Sequence, residues 1–312
     1  MPVAAIRENS AVPTDDSPGL GVTAIRLASG IYRFDDLSEA QAITLRQRYS
    51  QFFSISLPPG DLALAVEMRE LTHPLSTNPE AFTVAGEYTP MLERTPDQLT
   101  VTGINFQATL QWGEPMRATL AVARGPDSAL INAIENFLRV VSAYRVLSKG
   151  GLLLHSAGLV VDEQAYLFAG QSGAGKTTLT GKAHQAGAGI LSDDINIALP
   201  GEDGRFRAYP VPFAGDFGQT PDRLAPGGYP LAALCVLEQG GAVTLEPLSN
   251  AAATARLVAA SPFVNADPHK SSDLLEAAAH LVRLVPVRKL ISRREDDFNR
   301  IHGLLRELTD DR

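Results

Sequence analysis

The feature that most constrains this chain is the run Gly170, Gln171, Ser172, Gly173, Ala174, Gly175, Lys176 and Thr177, which satisfies the G-x-x-x-x-G-K-[ST] spacing of a Walker A phosphate loop. A polyphosphate wraps into a ring of backbone N–H groups only where side chains leave the backbone accessible. Gly170, Gly173 and Gly175 supply that access. Residues 165–169 before the loop are apolar and strand-like, and residues 178–184 after it suit a helix, whose N-terminal dipole adds to the attraction for an anion. In this setting Lys176 is expected against the β- and γ-phosphates and the Thr177 hydroxyl on Mg2+. Thr178 completes the set of residues expected around the nucleotide.

A phosphate loop needs a carboxylate at the end of a neighbouring strand, to hold the metal or to polarise the nucleophile. Residues 189–192 form a short apolar run that ends in Asp193 and Asp194. Successive strand side chains point to opposite faces, so one carboxylate is expected toward the metal and the other toward an acceptor hydroxyl. Two adjacent acidic residues can also form a solvated turn, a less favoured reading here, and the nearby phosphate loop strengthens the functional one.

The rest of the chain is read around this centre. With 312 residues, 45% of them hydrophobic, there is enough core for two domains. Residues 1–20 are expected to be a disordered tail, residues 21–125 a smaller α+β domain that holds specificity or a partner, and residues 126–312 the phosphate-loop domain. Alternation predicts a strand over 25–34, a helix over 38–52 and a half-buried strand over 62–68. A small antiparallel sheet follows, with a bulge or turn at Gly103. Leu130, Ile134, Phe137, Leu138, Val141 and Leu147 mark one side of a helix that starts near Pro126 and stops at Gly150. Three strands lead to the phosphate loop. Beyond it, residues 231–237 and 243–245 around Gly240 and Gly241 predict a hairpin, followed by two helices, a strand near 284–290 and a last helix.

A net charge of -8 and a pI near 5.3 argue against a nucleic-acid partner. The single Cys235 excludes an intramolecular disulfide and a four-thiolate zinc site, and is expected to pack in the core. No stretch is long and apolar enough to act as a signal peptide or to span a bilayer, so a cytoplasmic chain without a membrane partner is expected.

Leu154, His155, Ser156, Ala157 and Gly158, followed by the phosphate loop and by Ser192, Asp193 and Asp194, resemble the catalytic domain of HPr kinase/phosphorylase, whose fold is related to phosphoenolpyruvate carboxykinase. His155 lies 21 positions before Lys176, and Asp193 and Asp194 lie 17 and 18 after it, the offsets at which that family places its His and its Asp pair. The resemblance covers residues 152–198 and, more loosely, the rest of the C-terminal half. It implies an α/β fold, α+β over the whole chain, in which a carboxykinase-like domain with a mixed central sheet follows the smaller N-terminal one. It implies ATP, or another nucleoside triphosphate, and Mg2+. Asp194 would accept the proton of the attacking hydroxyl and His155 would sit beside that carboxylate and tune it. Asp193 would be the second carboxylate of the catalytic set or, with Thr177, a metal ligand. The family's downstream glycine-rich segment matches residues 212–218 best, with Asp216 as a further metal ligand.

The sequence also departs from the family. Thr178 stands where the HPr enzymes carry Glu, and the glycine-rich segment matches poorly, which argues against a phosphorylase activity. The family's arginine has no secure counterpart, although Arg288, Arg293 and Arg294 are basic candidates, and the first 125 residues do not match. These departures indicate a diverged relative, some of which are associated with modified-peptide pathways. The expected activity is transfer of the γ-phosphate to a hydroxyl of a protein or peptide serine or of a small molecule. A nucleotide-binding switch without an acceptor is the alternative, and a carboxykinase acting on oxaloacetate ranks below both. No Leu-Ser-Gly-Gly run supports a transporter ATPase. A homo-oligomer is left open.

Overall fold

The computed structural model describes residues 22–58, 60–72, 75, 79–84, 87–213, 215, 224 and 227–310. The expected tail over 1–20 and the metal candidate Asp216 lie outside these residues.

The chain begins with two strands, β1 (Thr23–Leu27) and β2 (Gly30–Asp35), where the sequence predicts one strand over 25–34. The strand-like pattern runs through a turn at residues 28 and 29. Gly30 has φ +130°, and a Cβ there would stand 2.7 Å from the Ala63 Cβ, so glycine is needed for both conformation and space. Helix α1 (Glu39–Arg48) starts at Ser38, whose hydroxyl accepts from the Gln41 N–H while the Gln41 side chain accepts from the Ser38 N–H, a capping box. A single turn of 3-10 helix over Ser50–Phe52 follows.

Strand β3 (Leu62–Glu70) is parallel to β2; beyond it come the short pair β4 (Thr83–Val84) and β5 (Glu87–Tyr88), then β6 (Met91–Arg94), β7 (Gln98–Gly103), β8 (Phe106–Gln111) and β9 (Met116–Val122). Among the described residues the first sheet runs β1-β2-β3-β9-β8-β7-β6. β3 is parallel to both of its neighbours and the strands from β9 to β6 are antiparallel. Gly103 ends β7 at the hairpin turn, where a Cβ would overlap the Phe106 ring at 2.2 Å. Because β3 is central, its burial is more complete than a half-exposed strand would show.

Helix α2 (Asp127–Ser148) is buried on more than the one predicted side. Val140, Ala143, Tyr144 and Val146 are covered too, because the helix touches β7 and β9 of the first sheet, α1, and elements of the second sheet.

The second sheet opens with β10 (Leu152–Val161) and β11 (Gln164–Ala169), joined by Asp162 and Glu163 at φ 50° and 60°, the left-handed pair of a tight hairpin turn. Helix α3 (Lys176–Gln185) follows the glycine loop. β12 (Gly189–Ser192) and β13 (Ile195–Pro200) then pair with successive parts of β10. β14 (Phe206–Tyr209) leads to β15 (Tyr229–Gln239), which is parallel to β11 and closes a ring of pairings through β10, β13 and β14. After β16 (Thr244–Pro247) come α4 (Asn250–Ala259), α5 (Ser271–Leu284), β17 (Val287–Ser292) and α6 (Phe298–Asp310).

The predicted hairpin over 231–245 does not form. β17 inserts between β15 and β16, parallel to the first and antiparallel to the second, so two strands adjacent in sequence are separated by one from further along. Helices α3 and α6 cover one face, with Leu179, Phe298, Ile301 and Leu305 in a common cluster, whereas α2, α4 and α5 belong to the core on the other. The result is a mixed α/β fold. Among the described residues no helix is long and apolar enough to cross a membrane.

Candidate active site

β11 ends at Ala169 and α3 begins at Lys176, so the glycine loop is the whole connection between them. Gly173 and Gly175 take φ +77° and +106°, a conformation that other residues adopt only with strain, and no atom lies within 4 Å of where their Cβ atoms would be. Gly175 is the N-cap of α3 and offers no side chain to its first N–H groups, which leaves that end of the helix to an external acceptor. Gly170 serves packing instead, since a Cβ there would meet the Ala174 Cβ at 2.9 Å. The Gln239 side-chain amide donates to the Gly173 carbonyl at 2.8 Å and fixes the loop to β15. Lys176 folds back over the loop and donates to the carbonyls of Gly170 and Gln171, at 2.8 and 3.3 Å.

The acidic pair is set by Ser192. Its hydroxyl accepts from the N–H groups of Asp194 and Ile195, both at 3.2 Å, at the bend between β12 and β13. Asp193 is 6% exposed, and Gly215 packs so closely on it that a Cβ would fall 1.8 Å from its Oδ1. Asp194 is held through both oxygens. His155 Nδ1 stands 3.1 Å from Oδ1, and Arg139 Nη1 stands 3.1 Å from Oδ2. Burial alone would raise the Asp194 carboxyl, but the hydrogen bond from His155 and the positive charges of Arg139 and Lys176 outweigh it and hold the group below its ordinary range. The backbone adds two restraints: the Ser156 N–H donates to the Asp194 carbonyl at 2.9 Å, and the His155 N–H donates to the Ala260 carbonyl at 2.7 Å.

Arg139 was not among the arginines the sequence suggested. It pairs with Glu135 one turn earlier on α2 at 3.0 Å, its guanidinium lies 5.7 Å from the Phe213 ring centroid, and Glu135 in turn pairs with Arg48 of α1 at 3.1 Å. Charges therefore alternate from α1 to the site through Arg48, Glu135, Arg139 and Asp194. The available signal was Glu135 and Arg139, spaced i, i+4 in a helix rich in apolar residues, where a buried position tolerates charges only when they are paired. Arg288 instead lies on β17 and donates to the Val287 carbonyl, and Arg293 is bound to Asp296. Arg293 and Arg294 line a separate cavity behind the loop.

Lys176, Thr177 and Thr178 from the start of α3, with Asp193, Asp194 and His155, line one cavity of about 390 Å3, to which Gly215 also contributes. Ser172, Gly173 and Gly175 complete its loop side, whereas Gln171 and Ala174 face a different cavity on the outer side of the loop. The Thr177 hydroxyl and the Asp193 carboxylate are hard oxygen donors on the same cavity, the donor set that suits Mg2+.

A family model described as "ScmC: SynChlorMet cassette protein ScmC" matches residues 122–296, a span that contains His155, the glycine loop and the Asp pair. No curated protein matches the chain. Among solved structures it is similar to "Structure of the Hpr(Ser) kinase/phosphatase from Coxiella burnetii", at 12% identity and a TM-score of 0.29, over 50% of this chain and 95% of that one.

Proposed function

Since the matching model spans more than half of its length, the chain belongs to the family of the SynChlorMet cassette protein ScmC, and we propose that it is an ATP-dependent phosphotransferase in which Asp194 receives the proton of an acceptor hydroxyl. The family description names no chemistry, so the reading rests on the site. The observation that carries it is a carboxylate clamped through both oxygens, by His155 and Arg139, on the wall of the cavity that Lys176 and Thr177 also line. Binding alone would not need that clamp. We read the second sheet as carboxykinase-like, which is supported by its mixed pairing and by the loop at the end of β11, a strand parallel to β15.

The residues present fit a triphosphate and its metal. The open space around Gly173 and Gly175 leaves their backbone accessible, and the uncapped start of α3 offers donors to phosphate oxygens. Thr177 and Asp193 would hold Mg2+, which when bound neutralises charge on the phosphate oxygens. Lys176 exchanges its two loop carbonyls for the phosphates, so its present hydrogen bonds keep the ammonium at the site until nucleotide arrives. The acceptor oxygen then bonds to the γ-phosphorus as the bond to the bridging oxygen breaks, and the hydroxyl proton passes to Asp194. A carboxylate held below its ordinary range is a weak base. It suits a loose transition state in which the proton leaves late and most of the acceleration comes from positioning and charge. His155, donating through Nδ1, keeps the receiving carboxylate in place.

The test is transfer of label from γ-labelled ATP with Mg2+ to fractionated cell extract, with identification of the labelled molecule. Asp194→Asn should retain ATP affinity and lose transfer by roughly 100-fold or more. Unchanged turnover in that variant would remove the role assigned to Asp194. Tight ATP binding with no labelled acceptor in any fraction would favour a nucleotide-dependent switch.

A further inference from the structure

We propose that the cavity of about 650 Å3 on the outer side of the glycine loop is the acceptor subsite, and that it takes an alcohol carrying a carboxylate, which Arg256 binds. The proposal rests on the phosphotransferase reading and names its acceptor class. Two cavities flank the one that holds Lys176 and Asp194. The cavity of about 530 Å3 shares Gly173, Gly175 and Thr178 with it and is walled by Lys182, Arg293 and Asp296. The larger one shares His155, Ser172 and Gly173. A hydroxyl that gives its proton to Asp194 has to arrive on the side where the His155–Asp194 pair is open. His155 borders the larger cavity and not the other, which leaves the smaller one for the nucleoside.

The lining of the larger cavity also carries a cation. Arg256 lines it from α4, and the C-terminal end of that helix is tied directly to the dyad, because the Ala260 carbonyl accepts from the His155 N–H at 2.7 Å. Arg256 lies four residues earlier on the same helix. Its guanidinium approaches Glu238 at 3.4 Å, a contact that uses one of five N–H donors. Glu238, which lines the same cavity, is shared with Lys289 at 3.7 Å, so the Arg256 fork keeps donors for a second carboxylate. Ala169, Ala174, Ala259 and Ala260 also line this cavity. A hydroxyl at the dyad and a carboxylate at Arg256, both on one cavity, describe a hydroxy acid, either free or at a chain end. Its oxygen bonds to the γ-phosphorus, the proton goes to Asp194, and the nucleoside diphosphate leaves.

The experiment measures label transfer from γ-labelled ATP to L-serine and L-serinamide, and to the tripeptide Ala-Ala-Ser and its C-terminal amide. At least one acid should be used about tenfold or more better in kcat/KM than its amide, and which pair responds tells a free hydroxy acid from a chain end. Arg256→Gln should erase the preference by raising KM for the acid about tenfold, and Arg256→Lys should restore part of it. Arg256 is half exposed, so the change carries little folding cost. Ala259→Phe, which fills the cavity from an exposed helix position, should raise KM for the acid while ATP still binds. Equal use of acid and amide, a preference that survives Arg256→Gln, or no label in any of the four probes by a protein that binds ATP in equilibrium dialysis would overturn the assignment. Absence of ATP binding in the wild type would defeat the phosphotransferase reading itself, and the subsite with it.

Discussion

Arg139 holds Asp194 Oδ2 as His155 holds Oδ1, and neither side chain alone would fix the carboxylate plane. With Arg139→Ala the carboxylate can swing on a single partner. A displacement on the order of 1 Å costs about 100-fold in rate, and that fall in turnover is expected with ATP affinity within about threefold of wild type in equilibrium dialysis. Arg139→Lys should recover little, because an ammonium cannot bridge Glu135 and Asp194 as the fork does. An equal loss of affinity would instead indicate collapse of the site. Cys235 offers a test of the core behind the loop. Burial pushes its thiol up to about 12, so no thiolate is available near neutrality. The stabilisation this implies is complete below the ordinary thiol range and is lost as pH climbs through that range toward about 12. Iodoacetamide at pH 8 should leave Cys235 unmodified in native protein and alkylate it in urea, as read by intact mass. Rapid native labelling would mean that β15 opens.

Helices and strands differ in how far their own sequences define them. α1 carries its start signal in Ser38 and Gln41, and α3 follows a loop whose glycines have no other common purpose, so both are readable locally. β17 is not. Its parallel partner β15 lies some fifty positions earlier, and its apolar residues pair as well with either neighbour in a one-dimensional reading. Insertion of β17 gives β15 hydrogen-bonding partners on both edges, and β15 carries Gln239, which holds the glycine loop. Leu290 on β17 is fully buried. Leu290→Ala should cost about 2–5 kcal/mol in urea unfolding, with the urea dependence of the folding free energy unchanged. A loss below about 1 kcal/mol would contradict the packing at this strand.

Over the whole molecule, the two sheets share one core rather than meeting at a polar seam. α2 lies between them, and Ile25, Phe137, Leu154 and Leu281, from the first sheet, α2, the second sheet and α5, belong to the same buried cluster. Arg94 of β6 reinforces the joint by donating to the Tyr144 hydroxyl at 3.0 Å and the Phe263 carbonyl at 2.9 Å, while Tyr144 donates to the buried Asp267 at 2.9 Å. Unfolding should therefore be a single transition. The chain's single tryptophan, Trp112, packs 5.2 Å from the Tyr144 ring and reports on this joint, so its fluorescence and far-UV circular dichroism should give the same urea midpoint. Two separated midpoints would show that the halves fold independently. The sequence by itself located the glycine loop and the starts of α1 and α2, because each depends on residues close together, and the resemblance it carries put His155 beside the Asp193–Asp194 segment. Tertiary structure alone decided that Arg139 rather than a C-terminal arginine completes the clamp, that β17 divides β15 from β16, and which cavity borders the dyad. These outcomes depend on long-range pairing and on the enclosure of charge between elements, and the free energy of a buried ion pair exists only once distant parts of the chain have excluded water from it.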